Sequence, residues 1–315
     1  MTLMLEPQPG ESVYDPTCGT GGMLISAAAE VKRQGKEWRN LRLYGQELNY
    51  GTSAIARMNL FLHGITDGHI AHGDTLARPA FLDARGWLQT FDVVLANPPY
   101  SIKAWNRAAF AKDPYGRNTW GVPPQGRADY AFFQHIAKSL DPKTGRAAIL
   151  FPHGVLFRRE ESALRVALVK SDLVECILGL GEGLFYNSPM PATVVVLRST
   201  KAPERKGRVL FINAVKEFAR EQAQSFLREP HQTKILNAYR DFTDVGQFAA
   251  VATLDQIADK NFSLAIPLYV ADAKAADVGE HLSVIDALAD WRSTSEASDA
   301  AIADVLSLLR TSVSA

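Results

Sequence analysis

The segment Val13 to Leu24, VYDPTCGTGGML, passes from a short β-rich run through a glycine-bearing turn into the start of a helix. In an open α/β sheet such a turn lies at the carboxyl edge, where ligands bind, and its glycines let backbone approach the ligand closely. A lone GxG is weak evidence, because strand–glycine–helix turns also arise for steric reasons. The surrounding chain supplies the context. From Ser12 to Leu197, β-rich runs alternate with helix-period segments: SVYDPT, LRLYGQE, GHIAHGD, FDVVLAN, GRAAILFP, LVECILGL and TVVVLRS. This alternation predicts an α/β domain, a Rossmann-like mostly parallel seven-stranded sheet with helices on both faces. GRVLFINA follows a charged turn and extends the sheet beyond Leu197.

Helix faces can be read between these strands. GGMLISAAAEVKRQG places Leu24, Ala28 and Val31 on one face, with a stop at Gly35. SAIARMNLFLHGI places Ile55, Met58, Leu62 and Ile65 on one stripe, ending near Gly64. ADYAFFQHIAKSL and REESALRVALVKS read as the next two crossover helices. The organisation expected is a catalytic domain over residues 1–215 and a helical C-terminal extension over 216–315. In that extension Leu282, Ile285, Leu288, Trp291, Ile302, Val305, Leu306 and Leu309 recur at helical spacing, for packing on its own domain or on a partner's helices.

Composition narrows the function. The 315 residues hold 34 Lys+Arg and 34 Asp+Glu, so a zero net charge provides no global field for nucleic acid. Any such binding is local or borrowed from a partner. Cys18 and Cys176 make no zinc or CxxC spacing, which suits a reducing cytosol, and no metal site is expected. The sequence holds no apolar run of about 18 residues, and MTLMLEPQPG lacks the basic flank of a secretion signal. A cytoplasmic protein that does not engage a membrane is expected.

Two carboxylates sharpen the glycine turn. Glu47 ends the second strand 25 residues past Gly22, near the offset of about 20 residues at which an acid reaches ribose hydroxyls in nucleoside-binding α/β folds. Asp74 ends the third strand, placed to accept from an adenine amino group. The glycines lack a Walker Lys-Ser/Thr, which disfavours an NTPase, and DPxCGxGG departs from the GxGxxG of NAD sites. The fourth strand, FDVVLANPPY (Phe91 to Tyr100), then delivers an amide, two prolines and an aromatic ring at its tip. Beyond it, Ser101 to Ala128 has no clear period and is far longer than an ordinary connection. That loop mixes Lys103, Arg107, Lys112, Arg117 and Arg127 with Trp105, Phe110, Tyr115 and Trp120, a mixture suited to phosphates and flipped bases.

DPTCGTGG, YGQE, HGD and NPPY, in this order and spacing, resemble the motifs of amino-group DNA methyltransferases that use S-adenosyl-L-methionine. The wider text, including LYGQELN, ARMNLFLHGI, ADYAFFQHIAKSL and PHGVLFRREE, is similar more narrowly to the modification (M) subunit of type I restriction-modification systems. The resemblance implies a cofactor site of Asp15, Thr17, Gly19, Gly21, Gly22, Glu47, Asp74, Thr75 and Asn97. It implies a catalytic set of Asn97, Pro98, Pro99 and Tyr100, acting on the N6 amine of an adenine flipped out of double-stranded DNA. Lys103, Arg107, Arg117 and Trp120 are then expected to face DNA. The partners implied are a specificity (S) subunit, a second M subunit and a restriction (R) subunit.

Full-length M subunits also carry a helical N-terminal region and an aromatic-Thr-Pro cofactor motif upstream of the first glycine turn. Neither stands in MTLMLEPQPG, which matches the tail of the helix after that motif, so a truncated chain is expected. Two other readings stay open from the residues: a catalytically silent assembly subunit, and a methyltransferase acting on a protein glutamine.

Overall fold

The structure is a computed structural model that describes residues 1–184, 190–221 and 224–270. Its elements run α1 (Thr2–Leu5), β1 (Ser12–Asp15), α2 (Gly22–Arg33), β2 (Arg42–Glu47), α3 (Tyr50–Leu62), β3 (His69–His72), β4 (Val93–Ala96), α4 (Arg107–Ala111) and α5 (Asp129–Lys138). They continue with β5 (Arg146–Pro152), α6 (Ser162–Lys170), β6 (Val174–Leu180), β7 (Ala192–Arg198), β8 (Arg208–Ala214), β9 (Ala219–Glu221), β10 (Gln224–Phe226), α7 (Glu229–Asp241), β11 (Ala249–Thr253) and α8 (Leu254–Asp259).

Nine strands form one sheet in the order β11-β8-β6-β7-β5-β4-β1-β2-β3, and β9 pairs with β10 apart from it. β3, β2, β1, β4 and β5 are parallel neighbours, whereas β7 runs antiparallel to both β5 and β6. Chain order leaves β1 in opposite directions, to β2 and β3 on one side and to β4 and β5 on the other. The crevice outside the carboxyl ends of β1 and β4 is therefore the switch point of the sheet.

The apolar runs explain why these strands lie in the middle. Residues of β4 alternate between two cores, Val93 and Leu95 in one and Val94 and Ala96 in the other, and all four are fully buried. Helices on both faces thus replace the polar alternation of a one-sided sheet with a continuous apolar run. Burying a valine or leucine side chain contributes roughly 1.5–3 kcal/mol. The strand is a firm anchor for whatever follows it.

Three expectations need correction. The sheet has nine strands rather than seven, because β8 extends it as the sequence suggested and β11 adds an antiparallel edge beside β8. The boundary at 215 falls inside one compact unit, Met1–Val270, since β11 completes the sheet and Ile235, Ala238 and Tyr239 of α7 enter its core. The stripe from Leu282 to Leu309 lies outside the described residues.

The third correction concerns α3. Leu24, Ala28 and Val31 of α2 are buried as their spacing predicts; of the second stripe Ile65 is buried, but Ile55, Met58 and Leu62 are 55%, 62% and 72% exposed. The buried face of α3 is Ser53, Ala56 and Leu60. Ala56 and Leu60 on that face pack tightly on the first turn. A Cβ at Gly21 would stand 3.7 Å from the Ala56 methyl and 2.6 Å from Leu60 Cδ1.

Candidate active site

The first turn begins at Asp15, which is 2% exposed and whose Oδ1 accepts from the Thr17 N–H at 3.0 Å. Burial pushes its carboxyl up to about 7; the Thr17 bond opposes this and the Glu47 charge adds to it. Gly21 holds φ +81° and caps α2, and with Leu60 so near, only glycine fits there. Gly19, at φ +52°, has open space where a side chain would point, and Gly22 is exposed at the start of α2.

Glu47 leaves β2 and folds back on this turn. Its Oε2 accepts from the Gly19 N–H at 3.0 Å and its Oε1 from the Asn49 N–H at 2.8 Å. Asp74 follows β3, and its Oδ1 accepts from the N–H groups of Leu76 at 2.8 Å and Ala77 at 3.1 Å. Thr75 is buried and its hydroxyl donates to the Pro16 carbonyl at 2.6 Å. Its role here is to tie the third turn to the first.

At the tip of β4, Asn97 is exposed, Pro98 buried, Pro99 exposed and Tyr100 half-buried. The Tyr100 phenol is pushed up to about 12, by burial first and the Asp129 charge second, so it stays neutral. These groups converge. Thr17, Glu47, Asp74, Thr75, Asn97, Pro98, Pro99 and Tyr100 line one cavity of about 590 Å³. Asp15, Gly19, Gly21 and Gly22 do not line it; they build the turn beneath and beside it. Ile102, Trp105 and Phe132 also line it; of these the sequence pointed only to Trp105, as one of the loop aromatics suited to a flipped base. The signal for Phe132 was present in ADYAFF, but helix spacing alone cannot say which of its aromatic rings faces the crevice.

Thr17 lines this cavity, and its hydroxyl oxygen is buried without a hydrogen-bond partner. A buried polar atom left unpaired costs about 1–3 kcal/mol, so a ligand at this wall that reached the hydroxyl would recover that cost. Among the described residues, no group of three or more His, Cys, Asp or Glu could hold a metal ion.

The profile of the N-6 DNA methylase family matches residues 1–278. The chain belongs to the N-6 DNA methylase family. It is 34% identical over 302 residues to the type I restriction enzyme MjaVIII methylase subunit of Methanocaldococcus jannaschii, covering 88% of this chain and 49% of that protein. The type I restriction-modification system methyltransferase subunit of Streptococcus thermophilus superposes with a TM-score of 0.78 at 34% identity, over 85% of this chain and 57% of that one. A structure from Listeria monocytogenes described as a class I S-adenosylmethionine-dependent methyltransferase shares the fold, with a TM-score of 0.56 at 18% identity over 77% of this chain and 67% of that one. The chain spans about half the length of the curated relatives it matches, 49%, 47% and 48% for the first three.

In this member of the family the loop from Ser101 to Ala128 is folded onto itself. Trp105 Nε1–H donates to the Gln125 carbonyl at 2.9 Å, and the Gln125 amide donates to the carbonyls of Lys103 and Trp105, each at 3.1 Å. Arg107 donates from Nε to the Pro123 carbonyl at 2.8 Å while its residue stays exposed, as does Lys103. Of the residues expected to face DNA, Arg117 is buried. Arg117 is 1% exposed, paired with Asp113 at 2.6 Å, and donates to the carbonyls of Thr75 at 2.9 Å and Leu76 at 2.7 Å. Trp120 is half-buried against the second core and lies outside the cavity lining. Their residue types suggested a nucleic-acid surface, whereas packing uses Arg117 to bind the loop to the turn after β3.

Among the described residues, no helix is long and apolar enough to cross a membrane.

Proposed function

We propose that this chain is the catalytic domain of an adenine-N6 DNA methyltransferase subunit of a type I restriction-modification complex. The observation that carries the reading is that Glu47, Asp74, Asn97, Pro98 and Tyr100 line one and the same cavity. In this reading S-adenosyl-L-methionine supplies a methyl group on a sulfonium, an electrophile that needs only a free nitrogen lone pair opposite it. Glu47 is placed to accept from ribose hydroxyls and Asp74, through the oxygen its backbone bonds leave free, from an adenine amino group. Thr17 offers its unpaired hydroxyl, and Gly19 leaves room for close approach.

The target side follows from the chemistry of an aromatic amine. An adenine N6 lone pair is delocalised into the ring and is a poor nucleophile. When the Asn97 side-chain oxygen and the Pro98 carbonyl accept its two N–H bonds, the nitrogen is drawn toward tetrahedral geometry and its lone pair is released. Fixed acceptors aimed at developing positive charge stabilise that state without a strong base. Pro98 and Pro99 have fixed φ and no N–H, which keeps the backbone stiff and the carbonyl available. Tyr100 offers a neutral aromatic face to a flipped base, whose extrusion costs a few kcal/mol.

The partners belong to the same proposal: double-stranded DNA, a specificity subunit, a second modification subunit and a restriction subunit. The zero net charge supports it, since affinity for DNA then has to come largely from another subunit. Transfer of tritiated methyl groups to adenine-containing DNA, with partner subunits supplied, tests the reading. Asn97→Ala is expected to lower kcat at least about a hundredfold, the scale of losing a preorganised transition-state hydrogen bond. Methylation that survives this substitution refutes it.

A further inference from the structure

Ser101, the residue after Tyr100, holds a φ of +52°. A side-chain-bearing residue in this left-handed region costs about 1–2 kcal/mol, so neighbouring structure has to hold it there. The holding contact is explicit. Its N–H donates to Asp129 Oδ1 at 2.8 Å, and Asp129, at the start of α5, is fully buried. The other oxygen, Asp129 Oδ2, accepts from Arg158 Nη1 at 2.7 Å.

Arg158 is itself fixed. Its guanidinium lies against Gly154, where a Cβ would stand 2.3 Å from Nε and would force the guanidinium to shift. Its carbonyl accepts from Arg165 Nη1 at 2.9 Å. Glu161 Oε2 shares Arg158 Nη1 at the longer distance of 3.3 Å, and burial raises the Glu161 carboxyl to about 7. The shorter contact makes Asp129 the principal partner of this cation.

We propose that Asp129, clamped by Arg158, is a positioning residue that aims the Asn97–Tyr100 tip by pinning the Ser101 backbone in its left-handed turn. The proposal rests on the methyltransferase reading above for its kinetic consequence. β4 anchors the tip from its N-terminal side, and the Asp129 contact anchors it from the C-terminal side. Without the second anchor, Asn97 and Pro98 remain present but are aimed loosely. Misplacement of a reacting group by about 1 Å can cost a hundredfold in rate.

The test uses the full chain with DNA, S-adenosyl-L-methionine and the partner subunits supplied, in wild type, Asp129→Asn, Arg158→Lys, Arg158→Met, Asp129→Asn with Ser101→Gly, and Asp129→Ala. Asp129→Asn keeps an acceptor for Ser101 but loses the ionic clamp, and kcat is expected to fall about tenfold or more with both KM values within about twofold. Arg158→Met does the same, and Arg158→Lys recovers part of the loss. Ser101→Gly in the Asp129→Asn background restores at least about threefold of the lost kcat, because glycine takes positive φ without strain. A merely structural ion pair would not be rescued by a glycine at 101. Unchanged kcat in both Asp129→Asn and Arg158→Met, or no gain from Ser101→Gly, overturns the proposal.

Hydrogen exchange at the amides of Asn97, Tyr100 and Ser101 gives a readout without activity. Faster exchange in Asp129→Ala than in wild type supports the clamp, and equal exchange refutes it. If the wild type methylates no adenine substrate, the functional reading falls while this exchange comparison still decides the clamp.

Discussion

Replacing Asp15 by asparagine stabilises the protein above neutral pH by an amount set by its burial. The carboxyl is 2% exposed, and its ordinary value of 3.8 is raised to about 7, chiefly by burial. Between those values the folded protein holds a proton that the unfolded chain has released. The contribution of this group to stability is therefore complete below pH 3.8 and lost as pH rises through about 7. At about 1.36 kcal/mol for each tenfold change in proton affinity, the full loss is on the order of 4 kcal/mol. Asparagine has no such titration, and its carbonyl can still accept the Thr17 N–H. Urea unfolding at pH 5, 6, 7 and 8 measures both proteins. The stability advantage of Asp15→Asn is expected to widen by about 2 kcal/mol from pH 5 to pH 7 and then to level off. A difference that stays flat from pH 5 to pH 8 refutes the assignment of a buried, proton-holding carboxyl.

Arg117→Met leaves Asp113 buried without its cation and frees the carbonyls of Thr75 and Leu76. Breaking a buried pair in this way costs about 3–5 kcal/mol, and a thermal melt reads it. Salt titration of DNA binding by Arg107→Ala and Lys103→Ala, both at exposed positions, is expected to reduce the slope of log K against log salt by about 1 for each phosphate no longer neutralised. On α3, Leu60→Ala destabilises by about 2–5 kcal/mol, whereas Leu62→Ala stays within about 0.5 kcal/mol despite its identical chemistry. Equal effects at 60 and 62 would refute the buried face assigned to the helix.

Much of the site was legible before the fold because each motif ends a strand. A parallel sheet places the carboxyl ends of its central strands along one edge, so DPTCGTGG, Glu47, HGD and NPPY had to meet there once the strands were recognised. Phe132 and Trp105 were less legible, since one comes from a helix with several aromatics and the other from a loop without a period. Arg117 was misleading for a definite reason: a basic residue among aromatics suits a phosphate, and it equally suits a buried pair with two carbonyls.

The sequence by itself determined the order of strands and helices, the motifs at the strand ends and the apolar anchor of β4, because these depend on local period and on residue type. Tertiary structure alone decided three further matters. It turned Ile55, Met58 and Leu62 of α3 outward and Ser53, Ala56 and Leu60 inward, with Ala56 and Leu60 set against the first turn at Gly21. It brought β11 into the sheet, a pairing with β8 across a long separation in sequence. It also joined Ser101, Asp129 and Arg158, from three separate elements, into one contact. Such contacts depend on distances between elements, and no local pattern in a chain encodes those distances.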